Sequence, residues 1–535
     1  MKRILALGEI LLIIVLALAP LSGHFPYRFN IFLSWEGAYR LYLGQVPYKD
    51  FGMPLGYMYW VIPAISFKIF GPYMMSLVKA QVFINIVGGF AFRSILKSLS
   101  VRPGIRFLSV LLFLISYSFM NFWPWYNHTV IMYELVGLSF LLKFIFGKGS
   151  RGRWGMLMAS GAFIFFSFFT KQDGGGLALL VCVALLAYNS YYEKDWKQLP
   201  VFVGSVALTG FFLIFPFVKF SFGYWFNHGQ PPHNSRISLG DIADDFFTEQ
   251  SQWLKFYVFI ILLLLLAHIK SFRGFLNDRP MAIFTLLTLG ILAEAAVFQT
   301  TSYIPGDNNI FFHSFAIAFI LSMAAAFLPL NFESPKTVLV AVAGLMLWWS
   351  QMYWKYLEKY VVKQAPIANT DGIINKRTYL RSTPDTTDVP VGLWQPSPLR
   401  SFRGMLLPAP TNSGISRIMQ MDLVQHNKNL KVLNMSELTP LAYEMKYELE
   451  KSPAYPLWYH LGVGMFKKET DQFCDRIKNN YYDLVLFEYI PYLNNFYPFR
   501  VRDSLLQYYK RVDVFTAPRK PSNQAWVEVY VRKTD

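Results

Sequence analysis

Apolar runs of roughly twenty residues recur from the start of the chain to position 354, each about the length an α-helix needs to cross a hydrocarbon layer. Backbone polar groups in lipid must be satisfied within their own segment, so single runs of this kind specify helices. With 54% hydrophobic and 16% charged residues over 535 positions, the chain is expected to be an α-helical polytopic membrane protein. The formal net charge of +17 does not make it a nucleic-acid binder. Many of the Lys and Arg residues before position 361 lie in short connections between apolar runs, where they orient a membrane protein.

The expected spans cover residues 4–22, 74–96, 107–122, 129–147, 154–170, 174–190, 199–220, 252–269, 280–298, 309–330 and 337–354. The basic start and the small residues near Ala17 to Gly23 also fit a cleaved signal peptide, but a retained first helix is expected. Residues 55–71 are apolar too, and parity decides their role. If they crossed, Arg93, Lys97, Arg102 and Arg106, then Lys143, Lys148, Arg151 and Arg153, then Lys270, Arg273 and Arg279 would all lie outside. That inverts the positive-inside rule three times. Reading 55–71 as a helix in the outer interface, interrupted by Pro63 and Lys68, puts those clusters in the cytoplasm with Lys2 and Arg3. About eleven transmembrane helices result, with residues 23–73 as a first outer loop.

The transmembrane part is expected to end near 359, and residues 360–535 form an extracytoplasmic α/β domain. This tail carries 23 basic and 17 acidic residues and no spanning run. "KVLNM", "DLVLFEYI" and "WVEVYVRK" have strand character, whereas "PLAYEMKYELE" and "ETDQFCDRIKNNYY" have helical spacing. Cys182, in an apolar run, and Cys474, in the tail, are not expected to pair, so a disulfide framework is excluded.

The stretch "WEGAYRLYLGQVPYKDFG", residues 35–52, places charge at the membrane face. Ser34 is expected to cap a short helix that stops at Gly44, with Asp50 in the extended loop beyond. Glu36 then falls in the first turn, where the helix dipole favours its carboxylate, and Arg40 shares its face. These residues admit two readings: a surface ion pair, or a carboxylate that accepts a proton beside a cation for a phosphate.

"WEGAYRLYLGQVPYKDFGMPLGYMYWVIPAISFKIFG" resembles the first-loop signature of the GT-C membrane glycosyltransferases, the superfamily of protein O-mannosyltransferases and lipid A aminoarabinose transferases. Glu36, Gly37, Gly44, Pro47, Tyr48, Asp50, Phe51, Pro54, Phe70 and Gly71 fit the pattern. Trp35 stands where an acidic residue usually precedes the Glu and often holds the catalytic role. The resemblance therefore passes that role to Glu36 or Asp50, or implies an altered activity. "FFTKQDGGG", residues 168–176, is similar to the family's Lys-containing outer join, which makes Lys171 a candidate phosphate ligand alongside Arg40. Its other reading is an interfacial anchor before a glycine turn, paired with Asp173.

Further polar residues are expected on the outer side and possible in the same cleft: Gln172, Asp173, Asn127, His128, His228, His233, Arg236, Asp307, Asn308 and His313. Glu134 and Glu294 sit within spans near the outer end, where a carboxyl usually faces an interior cavity. No His/Glu pair has metal-site spacing, so no metal is expected, although a divalent ion is not excluded. Nucleotide-binding loops and hydrolase elbows are missing from the sequence. The resemblance implies a polyprenyl-phosphate sugar donor, a glycan, lipid or protein acceptor, inversion at the anomeric carbon, and a place in a bacterial inner membrane. The competing classes are a lipid or solute transporter or flippase, and a non-catalytic envelope assembly protein. Inverted repeats, the usual transporter mark, do not stand out.

Overall fold

The computed structural model describes the chain apart from residues 28–30, 119–120, 148–151, 221–237, 303–310, 362–387, 454, 458, 460–464, 492–497 and 534–535. Helix α1 (Lys2–Leu18) leads to α2 (Ile31–Tyr42) and α3 (Met58–Phe70), then to α4 (Met74–Ser98), α5 (Pro103–Phe113), α6 (Tyr126–Phe146), α7 (Arg153–Phe168), α8 (Gln172–Glu193) and α9 (Gln198–Ile214). After α10 (Leu239–Thr248), α11 (Gln252–His268) and α12 (Phe272–Asn277) come α13 (Arg279–Ser302), α14 (Phe312–Phe327), α15 (Pro335–Trp348) and α16 (Ser350–Val361).

A helix occupies every expected span. Among the described residues, six stretches are long and apolar enough to cross a bilayer by themselves: Lys2–Ser22, Met74–Ser98, Tyr126–Phe146, Gln172–Glu193, Gln198–Phe217 and Arg279–Phe298. The bent pair α10 and α11, which meet at 98°, adds a seventh if taken as one span. Among the shorter helices, α3 has 13 residues and is about 20 Å long, well under a hydrocarbon thickness of roughly 30 Å.

One buried and one half-buried charge cluster fix which helix ends lie together. Glu9 of α1 is fully buried and accepts from Arg93 Nε of α4 at 2.6 Å and from Arg106 Nε of α5 at 2.9 Å. Glu193 at the end of α8 takes Arg153 at the start of α7 and Arg279 at the start of α13, both at 2.8 Å. Arg279 also donates to Ile145 O at the end of α6. Lys2 reaches Glu333, between α14 and α15, at 3.5 Å. The basic connections thus gather at one end of the bundle, as the parity reading requires. Lys148 and Arg151 lie outside the described residues.

The tail assembles at the opposite end. Short strands β1 (Phe25–Pro26), β2 (Gln395–Pro396) and β3 (Met405–Leu407) form a sheet in which β1, just after α1, pairs parallel with β3. A second sheet has the order β4-β5-β7-β6, from β4 (Val432–Met435), β5 (Leu484–Tyr489), β6 (Tyr509–Thr516) and β7 (Trp526–Arg532). Its β4–β5 pair is parallel and the others antiparallel, with an irregularity between Arg511 and Asp513. The three expected strands are β4, β5 and β7. Around the sheets lie α17 (Ala409–Gln420), α18 (Asp422–His426), α19 (Leu441–Met445), α20 (Phe466–Lys478) and α21 (Phe499–Tyr508). The expected helix over 440–450 is cut to α19 because Lys446 turns left-handed at φ 57°. Cys182 is buried, Cys474 partly so, and both are free thiols.

Removing the charge of Glu9 leaves two partly buried guanidinium groups without a counter-ion, a change that costs about 3–5 kcal/mol in buried settings. Glu9→Gln is expected to lower the thermal unfolding midpoint of the detergent-purified protein, followed by tryptophan fluorescence. Glu193→Gln, whose partners are 28% and 19% exposed, is expected to lower it less.

Candidate functional site

Helix α2 begins at Ile31, so Ser34 lies inside it and is not its cap. The Ser34 hydroxyl instead bonds Tyr59 Oη of α3 and donates to Pro124 O at 2.5 Å. Glu36 is accordingly in mid-helix, and its charge is met by a side chain rather than by the helix terminus. The helix stops as expected: Gly44 takes φ +78°, a conformation glycine adopts without penalty.

Arg40 is fully buried, and four of its five N–H donors meet acceptors. Nε and Nη2 donate to Glu36 Oε1 at 2.9 and 2.8 Å, and Nη1 donates to Gln45 Oε1 at 2.8 Å and to Glu450 O at 3.0 Å. The guanidinium lies over the rings of Tyr455 at 4.6 Å and Phe51 at 5.4 Å. Glu450 is itself tethered by Arg476 and by Tyr482 Oη. This geometry spends Arg40 on joining α2 to the tail and leaves no exposed edge for a lipid phosphate.

The loop after α2 is tied to the same tail segment. Gly52 N donates to Tyr455 O, Leu457 N to Gly52 O, and Ser452 N to Asp50 O, all at 2.8–2.9 Å. The Asp50 carboxylate accepts from Val46 N at 2.7 Å and closes its own turn. Tyr48, within that turn, holds φ 64°, which is costly for a bulky residue; its buried hydroxyl donates to Leu55 O at 3.1 Å.

Glu36 Oε1 belongs to Arg40, and Oε2 accepts no hydrogen bond among the described residues. The side chain borders a cavity of about 60 Å³ whose other walls include Asn434 of β4, Ser436 and Thr439 just beyond it, and Tyr455 and Tyr459. Thr439 Oγ1 is buried without a partner among the described residues. Burial pushes the Tyr455 phenol well above its usual range, so this ring presents a neutral hydroxyl at physiological pH.

Lys171 and Asp173 form a second centre. Lys171 Nζ is 2.9 Å from Asp173 Oδ2 at the start of α8, 4.6 Å from the Phe298 ring centroid and 5.6 Å from that of Tyr126. Gln172 is the first residue of α8, half-buried beside them. The expected glycine turn is helical: Gly174–Gly176 are in the first turns of α8, and a Cβ on Gly175 would meet the Phe168 backbone at 2.1 Å. Asn127 and His128 open α6 nearby, with Asn127 Oδ1 and His128 Nδ1 buried and unpartnered among the described residues. Glu134 and Glu294 face each other between α6 and α13, with Asp173 adjacent to Glu294. His313 packs elsewhere, bonded to Tyr257 and stacked on Phe312 in the bundle interior. His228, His233, Arg236, Asp307 and Asn308 lie outside the described residues, and no cluster of three or more His, Cys, Asp and Glu side chains occurs among those described.

The two centres flank one helix. Tyr126, beside Lys171, packs edge-to-face on Tyr59 at 6.0 Å, and Tyr59 bonds Ser34. Ser34 and Glu36 are two positions apart, about 200° around α2, so Lys171 and Glu36 look at opposite faces of it. The sequence reading misses Gln45, Glu450, Tyr455 and Thr439. Only Gln45 carried a signal, as the first residue past the helix-ending Gly44, within reach of a basic residue in the last turn.

With these features in place, the chain is a polytopic membrane protein of the GT-C type of fold, its tail seated on the first loop. It is similar over nearly its whole length to ArnT from Cupriavidus metallidurans. The apo crystal structure matches with a TM-score of 0.53 at 11% identity, covering 98% of this chain and 98% of that one. The structure bound to undecaprenyl phosphate matches with the same score and identity, covering 98% and 97%. No protein-family profile and no curated protein sequence matches the chain.

Truncating Arg40 leaves Glu36 buried without its counter-charge and frees Glu450 O. Arg40→Leu is expected to cost about 3–5 kcal/mol and to speed amide hydrogen exchange at Gly52, Ser452 and Leu457. Arg40→Lys should recover only part of the protection, because an ammonium lacks the planar fork.

Proposed function

We propose that the protein moves a sugar from a polyprenyl-phosphate donor to an envelope glycan, lipid or protein acceptor at the outer face of a bacterial inner membrane. The supporting observation is the end-to-end likeness to ArnT, one of whose structures is bound to undecaprenyl phosphate. The first-loop signature points the same way. In this reading the bundle end bearing α2 and the tail faces outward, and the Glu9 and Glu193 clusters face the cytoplasm. The chain divides near 359 into a membrane unit and an outer α/β unit that covers the first loop.

Lys171 is assigned to the donor phosphate. It stands at the N-terminus of the 22-residue α8, where the helix dipole adds to the attraction for an anion. Glu36 is the preferred base, since Arg40 orients one oxygen and the other faces the cavity; Asp50 is the alternative. The base takes the proton of an acceptor hydroxyl as that oxygen attacks the anomeric carbon. The bond from that carbon to the phosphate oxygen breaks, its electron pair leaves with the polyprenyl phosphate, and the configuration inverts. Arg40 acts here by holding Glu36 rather than by touching phosphate.

A second reading of the base rests on the 2.9 Å Lys171–Asp173 pair. It puts a carboxylate on the phosphate side of α2, with Asn127 and His128 close by.

Purified protein with a radiolabelled polyprenyl-phosphate sugar tests the assignment. Glu36→Gln is expected to lower transfer by about 10²–10⁴ without unfolding, and Lys171→Ala to raise the donor KM. Full activity in both Glu36→Gln and Asp50→Asn, with loss in Asp173→Asn, moves the base to the second centre. Movement of the lipid across the bilayer without transfer would indicate a flippase.

A further inference from the structure

A second cavity lies on the far side of Arg40 from the one bordered by Glu36. It is an open cleft of about 620 Å³ between the end of α2 and the turn after α19, in the size range of small-molecule sites. Its walls include Tyr39, Tyr443, Arg400, Lys446 and Lys451, and Gln45 lines it as well. Gln45 is 5% exposed. Its Oε1 is held by Arg40, which fixes the amide, and its Nε2 is buried with no acceptor among the described residues. A buried donor of this kind is costly unless something accepts from it.

The charges around the cleft are unevenly committed. Glu448 is taken by Lys451 at 2.5 Å, and Glu444 accepts from Ser401 N at 2.6 Å. Arg400 lies over the Tyr73 ring at 4.8 Å, and neither it nor Lys446 has a carboxylate partner among the described residues. The left-handed turn at Lys446 holds that residue where the chain reverses between α19 and the Glu450 anchor. One oriented amide donor and two uncommitted cations around a wet cleft define an acceptor-rich, anionic guest.

We propose that this cleft binds the anionic head group of a ligand, a phosphate or carboxylate on a polar body, with Gln45 Nε2, Arg400 and Lys446 as its donors. Neutral tyrosine rings supply the flat walls; burial raises the Tyr447 phenol well above its usual range. Through Gln45 the guest is two hydrogen bonds away from Arg40, and three from Glu36. The proposal stands on the cleft itself and does not depend on the transfer reaction.

The test reads binding rather than turnover, on the full-length protein in phosphatidylcholine nanodiscs. Lysine reactivity toward an acylating reagent is followed by mass spectrometry with glucose 6-phosphate, with glucose, or with phosphatidylglycerol added to the bilayer. Protection of Lys446 by glucose 6-phosphate, with exposed Lys467 and Lys478 unprotected, supports a site for a free phosphorylated sugar. Protection by phosphatidylglycerol alone supports a lipid head group. Gln45→Glu keeps an acceptor for Arg40 but replaces the donor by a carboxylate, and should weaken protection by about tenfold or more. Arg400→Gln, at an exposed position, should weaken it several-fold without affecting folding. Equal protection by glucose, no protection by either anion, or unchanged binding in both variants would overturn the proposal.

Discussion

The seating of the tail on the first loop centres on one buried guanidinium, with the β1–β3 pairing as a second tie. Arg40 satisfies a carboxylate, an amide and a main-chain carbonyl drawn from α2, the loop after it and the 447–457 segment. A lysine would satisfy fewer of these at once, because its donors are not held in a plane. The ring contacts with Tyr455 and Phe51 close its two faces and keep water away. With water excluded, the pair with Glu36 is stronger than a surface pair, and losing one partner is correspondingly severe. The backbone pairing of residues 50–52 with 452–457 follows from this anchoring, since it aligns two extended segments that have little side-chain register of their own.

The same helix divides the tail-bearing end of the bundle into two electrostatic environments. On one side are Lys171, Asp173 and the start of α8; on the other, Glu36, Arg40 and the tail. A helix with side chains is about 10–12 Å across. A reacting group therefore reaches both centres only by passing around α2, over its end or through the neighbouring loops. A polyprenyl-linked phosphosugar suits such a layout, because its tail stays in lipid while a flexible head extends along the rim.

Much of this was legible from the sequence, and the residues explain which parts. Span positions follow from local composition, and the shared end of Arg93, Arg106, Arg153 and Arg279 follows from parity. Strands β4, β5 and β7 are written in short alternating or apolar runs. The pairing of Phe25 with Met405 was not legible, because two residues of extended chain carry no register across almost four hundred positions. Ser34 was misread because a Ser ahead of a helical run fits a cap equally well as a buried hydroxyl that meets a tyrosine and a carbonyl from other elements. The glycines at 174–176 read as a turn, whereas they are helical: Gly175 abuts the end of α7 and Gly174 abuts Phe298 of α13. Gln45 carried only the weak signal of its place just past Gly44, and its bond to a fully buried Arg40 is announced by no local pattern.

Trp35 shows why the departure from the family signature is tolerable in this fold. Its indole is fully buried, donates from Nε1 to Pro72 O at 3.2 Å, and packs on Tyr39 at 4.5 Å and Phe67 at 6.0 Å. Position 35 therefore faces the join between α3 and α4, about 100° around the helix from Glu36. A carboxylate in that setting would be desolvated among aromatic rings, a costly arrangement. The neighbouring turn already supplies what an ionised acid needs, a fixed guanidinium on one oxygen and an open cavity on the other. In the proposed reading, an acid at position 36 in place of position 35 points from the α3 face toward the tail, so the tail residues that wall the Glu36 cavity would share in its role.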